Sequence, residues 1–417
     1  MNIFNVKEKI VFFLIFIITF FFIFGMKTPV GSLAQIFTAT ICILGLIYYN
    51  KKVIELNKIV FFLFLFLFCD LCICLLWPII FETYDFSILK TKINLIISIF
   101  ASYILSIYFN EKFSKKLFFK FLCVIFLIQS IIVFLMLINS NFSDFIMTNT
   151  KDSALVERMK NNYSGARGLG LADSAAFGFS ITMGLFLLLT LYTYRKEFIN
   201  TYIFFILILL GTIAAISAGR IALLGLFIGL LVLLSGVNSK RVFFAIITMF
   251  ISGILILNFL INIRYSVIEI RALSTLYNFM MEPIFNYIDY GVFKSTSTDG
   301  LINMYFPLTE SQFLYGDAKY SDGDSYYMGT DAGYMRFTLF YGAINSFSLY
   351  FLFLSVLSFF ILKIKNNSDK VLIFCMILLS FLLHYKGEVV LLSISFNKLL
   401  FLVVFFLYFK DKSKQRD

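Results

Sequence analysis

Apolar runs of about 20 residues follow one another along this chain, separated by short polar breaks, and each can cross a hydrocarbon core as an α-helix. Twelve such runs are delimited, at about 10–26, 30–49, 59–80, 93–109, 117–138, 170–193, 199–217, 221–237, 242–262, 335–361, 371–384 and 389–409. The alternating ten-residue segments of a membrane β-barrel are missing. The pattern predicts an all-α, polytopic integral membrane protein with about twelve transmembrane helices in one membrane domain, 1–417. Polar sequence gathers in two long loops, about 139–169 and 263–334. No internal repeat or linker interrupts this plan.

Composition strengthens that reading. Apolar residues make up 60% and charged residues 14%, against about 25% charged in soluble domains; mean hydropathy is +0.92. A net charge of +11 would point a soluble protein towards nucleic acid. Here the basic residues sit in the short loops 50–58, 110–116, 194–197, 239–241 and 363–370 and in the tail 410–417, with the N-terminus in the same set. The positive-inside rule then places both termini in the cytoplasm and both long loops outside. A multi-pass protein of the cytoplasmic (inner) membrane is expected, with no nucleic-acid partner. The first apolar run follows Lys7 and Lys9 but leads to no small-residue cleavage site, so it is expected to stay as a helix. All six cysteines fall in apolar runs and are expected to act as small hydrophobes, not as a disulfide framework.

Five places carry candidate chemistry. The first loop ends in Gly165-Ala166-Arg167-Gly168-Leu169-Gly170. Glycines admit a ligand close to the backbone, a helix start there would add positive dipole, and Arg167 offers a planar fork for phosphate or carboxylate; the alternative is a flexible approach with Arg167 at the headgroups. Ser217-Ala218-Gly219-Arg220 forms a tight external hairpin, and Arg220 either serves function or snorkels to the interface. An amphipathic helix is predicted over 263–281 from Ile263, Val267, Ile270, Leu273 and Tyr277. Arg264 and Arg271 would share its face, roughly 10 Å apart. The stretch that follows interleaves Asp299, Glu310, Tyr315, Asp317, Tyr320, Asp322, Asp324, Tyr326, Tyr327, Asp331 and Tyr334. Aromatic faces among carboxylates suit sugars, and Asp322-Gly323-Asp324 lacks the closing Glu of a Ca²⁺ loop. Finally His384, the only histidine, stands beside Tyr385-Lys386-Gly387-Glu388. One histidine cannot build a zinc site; it is either a base or a structural residue, and Lys386 is an additional anion contact. No metal and no cofactor is expected. Within the apolar runs, Asp70 and Lys398 are each costly alone and are expected to pair.

Together ARGLGLADSAAFG (166–178), SAGR (217–220), YGDAKY (315–320), TDAGYMRFTLFYG (330–342) and HYKGE (384–388), with two large external loops, resemble the bacterial O-antigen and capsular repeat-unit polymerases of the Wzy type. The resemblance implies a metal-independent glycosyltransferase. It would move a growing glycan from undecaprenyl diphosphate onto a sugar hydroxyl of the next lipid-linked repeat unit, among membrane lipids and either alone or with a chain-length regulator. Arg167 and Arg220, joined by Arg264, Arg271 or Arg336, would neutralise the diphosphate leaving group. Asp331 would deprotonate or orient the acceptor hydroxyl, and Tyr334, Lys386 and His384 would contact substrate. The related O-antigen ligases typically carry a histidine near the position of Asp331, and this chain has none there. A flippase would show short loops and pseudo-repeats; a polysaccharide-binding scaffold is the third alternative.

Overall fold

The computed structural model describes residues 6–28, 31–49, 58–151, 153–163, 165–167, 170–174, 176–235, 240–264, 269–323 and 325–413. Gly168, Leu169, Ser239, Val267 and Asp324, most of the basic loop at 50–57 and the tail at 414–417 lie outside the described residues.

The described residues are mainly helical. In order, the elements are α1 (Val6–Phe24), the β1–β2 hairpin (Lys27–Thr28, Gly31–Ser32), α2 (Leu33–Tyr49), α3 (Lys58–Ile80), α4 (Ser87–Lys112) and α5 (Lys115–Ile138). α6 (Ser140–Thr150) and α7 (Ser153–Tyr163) follow, then α8 (Ala176–Arg195), α9 (Thr201–Ala218), a 3₁₀ turn (Arg220–Ala222), α10 (Leu223–Leu234) and α11 (Lys240–Asn262). The second polar stretch holds α12 (Arg271–Tyr290), α13 (Thr296–Asn303), α14 (Glu310–Tyr315), the β3–β4 hairpin (Ser321–Asp322, Ser325–Tyr326) and a 3₁₀ turn (Tyr327–Gly329). α15 (Gly333–Lys363), α16 (Asn367–His384) and α17 (Ile394–Ser413) complete the chain. Each of the twelve expected apolar runs contains a helix among the described residues. Among the described residues, eight helices (α3, α4, α5, α8, α9, α11, α15 and α16) are long and apolar enough to cross a membrane, and three shorter apolar helices accompany them. The protein is an all-α membrane protein. Both long loops fold into helices of their own.

The helices gather into two compact units, residues 1–33 with 114–281 and residues 34–113 with 282–417. In the first, α8 is the centre: every residue from Phe179 to Tyr194 is buried. It meets α10 through glycine. A Cβ on Gly225 would stand 1.9 Å from the Gly184 carbonyl oxygen, and one on Gly229 would stand 2.6 Å from Leu191 Cδ1. Gly225 and Gly229 are four apart, the spacing by which apolar helices bring their backbones into contact without a hydrophobic driving force. Gly211 of α9 likewise makes room for Phe126 of α5, which stacks on Phe186 with centroids 5.4 Å apart. α11 buries only Val242 and Ala245, so its apolar surface suits lipid contact.

In the second unit the expected Asp70–Lys398 pair does not form. Lys92 Nζ instead lies 2.7 Å from Asp70 Oδ2, and the Tyr341 hydroxyl donates to Asp70 Oδ1 at 2.9 Å. The reason is local. α4 starts at Ser87 and not near 93, which draws Lys92 out of the expected loop and onto the face that meets α3. Lys398 Nζ lies 3.5 Å from the Ala34 carbonyl oxygen. The other distinctive feature is a break in α15 at Gly342, where φ is +74° and ψ is 165°. A Cβ there would meet the Leu314 carbonyl oxygen at 2.3 Å, and one on Gly316 would meet Gly342 N at 2.6 Å. Two glycines thus let the end of α14 seat against the break, and Asp317 N donates to the Leu339 carbonyl at 2.6 Å.

Candidate functional site

In the first unit, two of the arginines singled out from sequence converge. The Arg167 guanidinium carbon lies 4.1 Å from the centroid of the Phe279 ring and that of Arg220 lies 4.3 Å from it. Arg220 Nη1 also donates to the Phe279 carbonyl oxygen at 2.9 Å. Cations on an aromatic ring gain about 0.5–2 kcal/mol each, which offsets part of the repulsion between them. Phe279 comes from α12, so the second polar stretch supplies the surface on which residues from two other breaks meet. Three anchors hold the segment after Arg167. Gly170 N donates to Met136 Sδ at 3.1 Å, Gln129 Nε2 to the Leu171 carbonyl at 3.2 Å, and Lys151 Nζ to the Ala172 carbonyl at 2.8 Å. Asp173 accepts the Ser32 hydroxyl. The helix that follows starts at Ala176, not near 170, so its dipole is separated from the glycine-rich stretch.

The predicted amphipathic helix also shifts. α11 runs to Asn262 and α12 begins at Arg271, so Arg264 and Arg271 do not share one helix face. Arg264 stays near Tyr277 of α12 and opposes the rise that burial imposes on that phenol. Arg271 lines a cleft of about 490 Å³ with Asp144, Lys160 and Glu269, and Lys160 pairs with Asp144 at 2.7 Å.

The second unit builds a separate cluster at the start of α15. Arg336 is 5% exposed. Its Nη1 lies 3.2 Å from Glu388 Oε2, its Nη2 donates to the Tyr320 carbonyl at 3.0 Å, and its guanidinium carbon lies 3.8 Å from the Tyr320 ring centroid and 4.2 Å from that of Tyr326. The Tyr320 hydroxyl donates to the same Glu388 oxygen at 2.6 Å. Expected as a diphosphate ligand, Arg336 is instead committed to partners inside the protein. Tyr320 is itself pinned: Asp85 Oδ2 accepts Tyr320 N and Ser321 N, both at 2.7 Å. Partial burial raises the Asp85 carboxyl, but hydrogen bonds from Ser87, Ser321 and Tyr320 outweigh it and leave the group below the usual range. Burial likewise raises Glu388, against Arg336, the Tyr320 hydroxyl and Lys92, and here burial wins.

Around this cluster the remaining candidates divide. His384 is fully buried. Its Nδ1 accepts Val389 N at 3.0 Å and Val390 N at 3.3 Å, so Nε2 carries the hydrogen, and Nε2 lies 2.9 Å from the Tyr350 hydroxyl. Nδ1 closes the turn after α16 and Nε2 ties it to Tyr350 of α15, so both ring nitrogens have partners inside the protein. Tyr334 donates its hydroxyl to the Phe381 carbonyl at 2.9 Å and sets its ring edge-on to His384; it too is an internal contact. Lys386 Nζ bonds Ser297 Oγ at 2.7 Å. Asp331 is exposed, yet the protein around it raises its carboxyl above the usual range against the pull of Lys386 and Arg336. Next to them Tyr305 and Tyr385 stack with centroids 4.9 Å apart.

Sequence reasoning missed Phe279, Asp85, Lys92 and Glu388 as partners. Glu388 had a signal, being the one acid between the last two apolar runs. Phe279 had none, since one phenylalanine among 56 carries no mark. Among the described residues no group of three or more His, Cys, Asp or Glu could hold a metal ion. No family model, curated protein or solved structure matches the chain.

Proposed function

We propose that the protein is a glycan polymerase. It transfers a polysaccharide chain from undecaprenyl diphosphate to the next lipid-linked repeat unit at the outer face of the cytoplasmic membrane, with twelve spans and both termini inside. The observation that carries this reading is the meeting of Arg167 and Arg220 on Phe279. Three polar breaks of an apolar chain meet here and bring two permanent cations onto one ring. Such a pair suits a diphosphate, whose departure needs preorganised positive charge. Asp331, with Lys386 beside it, orients the acceptor hydroxyl, and the Tyr305–Tyr385 pair offers a sugar ring an aromatic face. Arg264 and Arg271 are further cations of the first unit that such a diphosphate could use.

A gel of surface polysaccharide from a strain lacking the gene tests the reading. The polymerase predicts that the ladder collapses to a single repeat unit. Loss of all attached glycan with accumulation of long lipid-linked polymer would make the protein a ligase. Accumulation of single lipid-linked units on the cytoplasmic side would make it a flippase. An unchanged ladder would remove it from this chemistry.

A further inference from the structure

The turn between α16 and α17 holds Glu388 rigidly. His384 Nδ1 accepts the two backbone N–H groups that follow Glu388. On the other side α15 abuts the turn: a Cβ on Gly333 would lie 2.5 Å from the Gly387 carbonyl oxygen. The two oxygens of the carboxylate are used unequally. Oε2 takes both the Tyr320 hydroxyl and Arg336 Nη1. Oε1 is buried and makes no hydrogen bond among the described residues. Leaving a buried carboxylate oxygen without a donor is costly, and the cost is removed when a ligand brings a hydroxyl to it. Asp331, in contrast, is an exposed residue.

We propose that Glu388 receives the proton of the acceptor-sugar hydroxyl, with Tyr320 and Arg336 as positioning residues that hold its carboxylate. The proposal rests on the polymerase reading and deepens it. The acceptor oxygen bonds to the anomeric carbon of the donor. The carbon–oxygen bond to the diphosphate breaks, its electron pair leaving on the diphosphate oxygen, and the hydroxyl proton passes to Oε1. Burial makes this carboxylate a better base than an ordinary glutamate. The charged and titratable groups that face it are Arg336 and Tyr350 of α15, Tyr320, Lys92 of α4 and Asp331.

The test measures initial rates of polymer formation by the full chain in membranes, from about pH 5 to 9. The substrate is the lipid-linked material that accumulates in the deletion strain. Glu388→Gln is expected to lose at least about 100-fold in kcat with KM little changed, and Glu388→Asp to recover part of it. Tyr320→Phe keeps the ring on Arg336 but removes a donor that favours the charged carboxylate, so the acidic limb of its rate profile moves to higher pH. A merely structural Tyr320 would lower the rate at every pH and leave the limb in place, which would overturn the proposal, as would wild-type rates in Glu388→Gln. Should Glu388→Gln fail to assemble, the limb of Tyr320→Phe decides alone. No polymer from wild-type protein would bring down the polymerase reading and this one with it; wild-type activity indifferent to Glu388 would bring down only this one.

Discussion

Lys92→Met probes the buried ion pair most sharply. Asp70 and Lys92 are each 1% exposed, and their 2.7 Å contact is Asp70's only charged partner among the described contacts. Without Lys92, the carboxylate keeps the Tyr341 hydroxyl on Oδ1 and the weak Cys74 thiol. Asp70→Asn leaves the ammonium without its paired carboxylate, beside the Phe337 and Tyr341 rings at 5.4 and 5.5 Å from their centroids and within the field of Glu388. Removing one partner of a buried pair costs about 3–5 kcal/mol, which for a unit of this size lowers Tm by on the order of 10 °C. The double variant Asp70→Asn/Lys92→Met removes both charges and keeps an acceptor for Tyr341, so most of the loss should return. A double-mutant cycle on thermal unfolding in detergent should therefore give a coupling of about 2 kcal/mol or more. Lys398→Met, combined with Asp70→Asn, should be additive. Single losses below about 1 kcal/mol, or additivity between positions 70 and 92, would refute the pairing and the energetic role given to it.

Further outcomes follow from the packing and the two clusters. Gly225→Leu drives a side chain into the Gly184 backbone and should lower the yield of folded protein in detergent by size-exclusion chromatography, whereas Gly253→Leu, where nothing lies within 4 Å, should not. Arg220→Ala should shorten the surface polysaccharide to one or a few repeat units on a gel, and Arg220→Lys, which keeps charge but not the planar fork, should recover only part of the length. Phe279→Leu should weaken both arginine contacts and cost about 1–2 kcal/mol of transition-state stabilisation, seen as a roughly tenfold slower chain extension. His384→Gln should lower Tm without changing KM, because the imidazole serves the turn and not the substrate.

Much of the architecture was legible because lipid imposes a single solution on an apolar run. Every run holds a helix, and the errors lie at the ends: some helices continue into polar residues past the apolar core, and others, such as α8 and α17, start inside it. Ser87–Lys92 is the instructive case. Lysines at 90 and 92 signal a loop by composition, yet the helix runs through them and Lys92 finds Asp70. α12 errs the other way: sequence periodicity starts a helix at 263, whereas α11 ends at Asn262 and α12 begins only at Arg271. For the sites, charge in an apolar context was a sound guide to position and a poor guide to role. Arg336, Tyr334 and His384 were each found by their chemical type and each proves to serve the protein's own hydrogen bonding. Roles depend on which partners the fold supplies, and those partners come from distant segments: Tyr320 and Glu388 are 68 residues apart, and Arg220 and Phe279 are 59 apart.

Chain growth by the purified protein tests the central claim most directly. Full-length protein in lipid vesicles is given the lipid-linked repeat units isolated from the deletion strain, and the products are resolved by length. The account predicts a ladder of lipid-linked polymer with release of undecaprenyl diphosphate, without added metal, and loss of that ladder in Arg167→Ala and Arg220→Ala. Repeat units that stay single with folded wild-type protein, or a ladder that persists when both arginines are removed, would contradict it.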